Sequence, residues 1–226
     1  MDNQINNQNH YESLDANLTH IQWQVDEFSL PFWEDKFHRS VLVFVIDNCS
    51  KKIIGYAIGD TENSEVIKNA IRQAIFSTSI LPFEIVMDNH SFTQTQSALN
   101  FENLLRKIGS RLTKTSNPWQ KVLTEQCIKN LDILFKEHPG YLDISTRIKS
   151  VEDISIDELK VQYVQKIKTK KEVIVITSSV IECYNDKPQK GKIPNQVYLE
   201  NQHPNPLLLS QSYEKKLFPN QGLNNI

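Results

Sequence analysis

The sequence predicts an α/β protein built on a five-stranded mixed sheet flanked by helices. Three observations predict it. Arg39 to Ile46 is a near-continuous apolar run of the kind expected in a strand buried on both faces. Shorter strand-like segments sit close on either side of it, close enough for an antiparallel meander. From Thr61 the apolar period changes from two to between three and four, and later apolar runs alternate with helical stretches. At 226 residues the chain is one ordinary domain or two small ones. With 39% hydrophobic and 23% charged residues it can bury a core, which excludes wholesale disorder.

The elements follow in order. The first twenty residues are rich in Asn and Gln and read as a flexible tail or cut linker. Gln22 to Phe28 alternates apolar and polar side chains, as a strand does. After the Arg39–Ile46 strand, Asp47-Asn48-Cys49-Ser50 supplies turn chemistry, and Lys52 to Ile58 forms the third strand. Val66, Ile67, Ala70, Ile71, Ala74 and Ile75 line one face of a helix, with Thr61 or Ser64 as its expected cap. Leu81-Pro82 ends it, and Phe83 to Met87 is a short buried strand closed by Asp88. Ala98 to Ile108 is helical and stops at Gly109; Arg111 to Thr115 is the fifth strand. A helix starts after Ser116-Asn117-Pro118 and ends at His138-Pro139-Gly140. A last helical stretch begins near Ser155 and runs, with a break, towards Tyr184; residues 185–226 show no clear periodicity. The predicted order is β-β-β-α-β-α-β-α-α.

Several function classes drop out. No apolar run approaches the roughly eighteen residues of a membrane span, and the start lacks the regions of a signal peptide. Cys49, Cys127 and Cys183 are scattered without a Cys-x-x-Cys pair, which suggests a reducing, cytosolic compartment, no zinc site and inert thiols. Six glycines offer no Gly-rich phosphate loop. The net charge of −2 hides an asymmetry. Residues 1–36 carry −6, residues 101–136 carry +4, and Lys160 to Lys171 adds five lysines without an acid. An acidic start and a basic second half suit local phosphate binding, although solvated helix faces give the same count.

Three acids occupy unusual places. Asp26 interrupts an apolar strand, Asp88 ends a buried one, and Glu125 sits inside a helix after a proline turn. Buried carboxylates are costly unless paired or coordinated, and hard oxygen ligands suit Mg²⁺ or Mn²⁺. Pairs of such ions are standard machinery for in-line phosphodiester chemistry. Spacing alone leaves a plainer account open: Asp88 starts an Asx-turn, Asp26 pairs with a lysine and Glu125 is a surface residue.

The wider pattern resembles a known family. Trp23-Gln24-Val25-Asp26, Asp88-Asn89-His90-Ser91-Phe92 and Glu125, with 36 residues between the second and third acids, are similar to the DDE signature of retroviral-integrase-like transposases. Ile181-Glu182-Cys183-Tyr184-Asn185-Asp186-Lys187-Pro188 and Pro194-Asn195-Gln196-Val197-Tyr198 resemble the tail that closes this family's catalytic domain. Lys136 to Tyr141, and Leu208-Leu209-Ser210 through Leu217-Phe218, are similar to transposases of the phage Mu type. The resemblance covers about residues 20–220.

It implies an RNase H-like fold and a DDE polynucleotidyl transferase that nicks transposon ends and joins the freed 3′-hydroxyl to target DNA. By position, Asp26 would bridge two Mg²⁺ or Mn²⁺ ions, with Asp88 holding one and Glu125 the other. Implied partners are DNA, both transposon ends and target, and further copies of the chain when full length and DNA-bound, with no membrane. Lys121 and Lys129, one helical turn either side of Glu125, are expected to grip phosphates, as are Arg111 and Lys114. Asn89 and His90 are expected beside the ligands rather than among them, with Asn89 shaping the loop. Two positions depart from the family: His90 stands where Gly is common, and Lys121-Val122-Leu123-Thr124 lacks the Gly often found before the Glu.

The expected organisation is a tail over 1–20, a catalytic core over 21–200, and an extension over 201–226 leading towards a missing domain. Trp23 and Trp33 are expected in the core rather than as base-stacking platforms, Trp119, exposed by its loop context, suits packing and base stacking about equally, and Asp47 is expected in its turn. Two rival readings remain: an RNase H-like nuclease that cuts without joining, and a catalytically silent DNA-binding or assembly protein on the same fold.

Overall fold

The computed structural model describes residues 17–34, 38–88, 96–115, 118–143 and 167–217. Strands β1 (Gln22–Ser29), β2 (Val41–Asp47) and β3 (Ile53–Gly59) form the expected antiparallel meander. Helix α1 (Ser64–Thr78), strands β4 (Ile80–Leu81) and β5 (Glu84–Asp88), helix α2 (Gln96–Lys107) and strand β6 (Arg111–Thr115) follow. Then come α3 (Pro118–Phe135), α4 (Lys170–Asp186), α5 (Pro194–Glu200), β7 (Leu207–Leu208) and α6 (Gln211–Leu217). The main sheet runs β3-β2-β1-β5-β6, antiparallel on the meander side and parallel across β1, β5 and β6. This is the RNase H-like fold, with its five-stranded mixed sheet.

The apolar run in β2 is explained by burial on both faces. Val43 and Val45 point to a core shared with Ile67, Ala70, Ile71, Ala74 and Ile75 of α1. Leu42, Phe44 and Ile46 point to the opposite core, against Leu131 and Phe135 of α3 and Val180 and Tyr184 of α4. Alternating side chains thus fill two hydrophobic layers, and truncating fully buried Phe44 to Ala would cost about 3–5 kcal/mol. α1 crosses β3 at Gly55, where an added Cβ would stand 2.6 Å from Ala74 Cβ. Trp23 and Trp33 are core residues, as expected.

Several details differ from the sequence reading. Neither Thr61 nor Ser64 caps α1: Asn63 does, its side chain accepting the backbone N–H groups of Glu65 and Val66. α4 begins at Lys170 behind a reciprocal Thr169–Glu172 capping box; the helix expected from Ser155 falls outside the described residues as far as 166. The stretch after 185, which shows no periodicity, holds two seven-residue helices and the β7 strand. β7 pairs with β4, a two-residue strand too short to read. Thr19 and His20 are wholly buried, and Leu217 of α6 is 4% exposed.

Asn185 fixes the end of α4 to the sheet. Its side chain accepts the Ile53 N–H and donates to the Ile53 carbonyl, both at 2.9 Å, extending the β3 edge as another strand would. Asp47 does more than belong to its turn. Besides the Ser50 N–H and hydroxyl, it accepts the His20 N–H at 2.8 Å and is wholly buried.

Candidate active site

β1 and β5 lie side by side at the centre of the sheet, in parallel register with Val25 opposite Met87. One residue further, Asp26 and Asp88 are neighbours. Along β5, Ile85 and Met87 belong to the α1 layer, so Asp88 takes the other face; Val25 and Asp26 divide in the same way. The two acids therefore share the face covered by α3. They line a small hollow of about 10 Å³ together with Thr115 and Thr124, space on the scale of one water or one ion. Asp26 is held in place from its own strand, where Oδ1 accepts the Glu27 N–H at 2.9 Å.

Glu125 sits on α3 one residue after Thr124. Thr124 is buried and faces the hollow; Glu125 is exposed and does not line it. Among the described residues, no three His, Cys, Asp or Glu side chains are gathered closely enough to hold a metal ion. The structure thus brings two of the three expected acids together and leaves the third beside them. Asn89 and His90 lie outside the described residues, as does the side chain of Lys121, whose backbone is in α3.

The cations expected on DNA divide into two groups. Lys129 is exposed on α3. Arg111, in contrast, meets Glu84 Oε1 through Nε at 3.0 Å and Nη2 at 2.7 Å. Glu84 is 6% exposed and also accepts from Thr113 and Gln22, so Arg111 balances a buried charge on the adjacent strand. Lys114 pairs with Glu102 of α2 at 3.2 Å. A partner on the adjacent strand, or on the helix that packs beside it, cannot be read from a single strand, which is why both looked available.

Two acidic residues were not foreseen. Glu27 follows Asp26 and so points to the opposite face, where it meets Glu62 just before the α1 cap. Burial first, then the hydrogen bond to Glu62 and the charges of Glu62, Asp26 and Asp88, push Glu27 up to about 8. Burial and the neighbouring acids thus favour the neutral form of Glu27, which limits the negative charge crowded around this end of β1. Thr124 was legible in principle: Thr124, Cys127 and Leu131 follow helical spacing on one buried face.

Residues 17–118 match the family model described as the integrase core domain, just under half of the chain. The match takes in the whole five-stranded sheet, Asp26 and Asp88, and stops at the first residue of α3, short of Glu125. No curated protein matches the chain. Fold and match together support polynucleotidyl transfer on DNA as the general class of activity.

The donor set fits a hard divalent cation. Two carboxylates on adjacent strands, with two threonine hydroxyls, surround an ion-sized hollow. No helix among the described residues is long and apolar enough to cross a membrane.

Proposed function

We propose that the chain carries the catalytic core of an integrase-like DNA transposase, similar in type to transposases of the phage Mu kind. The observation that supports this most strongly is the placing of Asp26 and Asp88 side by side on adjacent parallel strands, facing one hollow. Asp26 and Asp88 would hold Mg²⁺ or Mn²⁺, with Glu125 completing the set from α3. When bound, a pair of such ions activates an attacking oxygen and stabilises the leaving oxygen of a phosphodiester.

The chain's own residues position the reaction. The Glu27 N–H fixes the Asp26 carboxylate, and Thr124, buried on α3, lines the hollow one residue before Glu125. Lys129, four residues after Glu125 on α3, takes a phosphate flanking the scissile bond, and Lys121, four residues before it in sequence, takes another. Arg111 and Lys114, already balanced by Glu84 and Glu102, contribute less to DNA affinity. The substrate is a transposon end, and the freed 3′-hydroxyl attacks target DNA. The DNA-bound form is a multimer of the protein.

A pre-nicked transposon end incubated with supercoiled target and Mn²⁺ tests this. Joined products that disappear in Asp26→Asn, Asp88→Asn and Glu125→Gln support a transposase. Cutting without joining supports the RNase H-like nuclease, and neither reaction supports a silent DNA-binding protein.

A further inference from the structure

A groove of about 870 Å³ lies on the same sheet face as the two aspartates, well within the range that holds an organic ligand. It is framed by the start of β1, the β2–β3 turn, the middle of α3 and the segment after α4. Gln24 lines both this groove and the aspartate hollow, so the two adjoin at that residue.

The chemistry of the groove is one-sided. Among the described residues no carboxylate lines it, while Lys51, Lys190 and Lys192 do. Burial holds the Lys51 ammonium below its usual range, against the opposing pull of Asp47 and Cys49, and Lys190 adds a smaller push in the same direction as burial. The floor is rich in carboxamides, and most of them bond to one another. Asn48 donates to Gln22 at 2.9 Å, and Asn130 donates to Gln189 at 2.6 Å. Gln24 is the exception: it is 94% buried, and among the described residues its Oε1 has no hydrogen-bond partner. A buried acceptor left without a partner beside a groove is costly, and a small side-chain movement that opens it to the groove lets a ligand donate to it.

We infer that this groove is a subsite for a short single-stranded stretch of DNA leading to the phosphodiester at Asp26 and Asp88. The inference rests on the DNA-cleaving reading above and adds where the strand lies. Carboxamides pair with the edges of unstacked bases, each able to donate and accept, and Gln24 Oε1 accepts from an exocyclic amine or ring N–H. Lys190 and Lys192 take backbone phosphates. A duplex presents its base edges only in its own grooves, so this carboxamide floor suits an unpaired strand.

The test uses a fluorescent short oligothymidylate in EDTA, read by anisotropy across a salt series, with the whole chain. Lys190→Glu/Lys192→Glu should weaken binding at least about tenfold and flatten the salt slope by about 1.4, two phosphates at about 0.7 each. Gln24→Met, of similar size, should weaken it about fivefold, the scale of one hydrogen bond. Lys215→Glu/Lys216→Glu, in the last turn of α6, should change it less than about twofold, since those lysines lie outside the groove. Photo-crosslinks from 4-thiothymidine should map to residues 122–130 and 184–192. Equal losses from both lysine pairs, or crosslinks confined elsewhere, would overturn the inference. Because binding is read without metal, it is independent of cleavage. If the acid substitutions abolish cleavage while the groove variants bind normally, only the groove assignment fails. If the groove variants lose binding while the acid variants still cleave, the catalytic reading fails instead.

Discussion

Replacing Asp26 by Asn should stabilise the metal-free protein while removing its activity. Neighbouring parallel strands are about 4.8 Å apart, so carboxylates of paired residues stand about 5 Å from each other. At an effective dielectric of about 20 their repulsion is about 3 kcal/mol. Both residues are partly open to solvent, and screening brings the expected gain down to about 1–2 kcal/mol. Asn keeps an oxygen to accept the Glu27 N–H, so the bond that fixes this side chain survives. Urea unfolding followed by the fluorescence of buried Trp23 and Trp33 gives the free energy. In EDTA the variant should unfold at higher urea than the wild type. Added Mg²⁺ should raise the wild-type midpoint and leave the variant nearly unchanged, because only an ion that binds the folded site stabilises it. A variant at least 1 kcal/mol less stable than wild type in EDTA would refute the reasoning, since Asp26 would then be a structural anchor rather than half of a repelling pair.

Other expectations follow from the packing. Asn185→Leu leaves the N–H and carbonyl of Ile53 without their partners and should cost about 2–4 kcal/mol in urea unfolding. His20 is held below its usual pKa, chiefly by burial, against the opposing pull of Asp47. Below the unfolded value of about 6.5 the unfolded chain takes up a proton that the folded chain refuses, so stability should fall as pH drops from there towards the folded pKa. His20→Gln should flatten that part of the profile. Cys127 is buried and its thiol is pushed up to about 12, chiefly by burial. Iodoacetamide should therefore label half-exposed Cys49 and Cys183 in the native protein and reach Cys127 only after unfolding, as read by mass spectrometry.

The sheet was legible because its strands announce themselves in different ways. β2 carries an apolar run that only two-sided burial explains, and β1 and β5 each carry an acid where a hydrophobe belongs. The same oddity made Asp26 and Asp88 readable as a pair, since a charge in such a strand needs a partner or a cation. What escaped the sequence depends on neighbours distant along the chain. Arg111 and Lys114 look like DNA contacts until Glu84 and Glu102 are placed beside them. The α5 and α6 helices span two turns each, too short for a helical period to stand out. Asn185 reads as one residue of a terminal motif, and only the fold reveals it bridging Ile53. Gln24 reads as an ordinary polar position, and only the fold shows its oxygen buried and, among the described residues, unpartnered. Glu125 is legible by position on its helix, but the rotation that sets Thr124 inward and Glu125 outward is decided by packing.

The most direct measurement is anomalous diffraction from Mn²⁺-soaked crystals grown with a DNA end. The account predicts manganese peaks in the hollow between the side chains of Asp26 and Asp88, with Glu125 turned towards them. Ordered DNA at the site with manganese bound only elsewhere on the protein would contradict it.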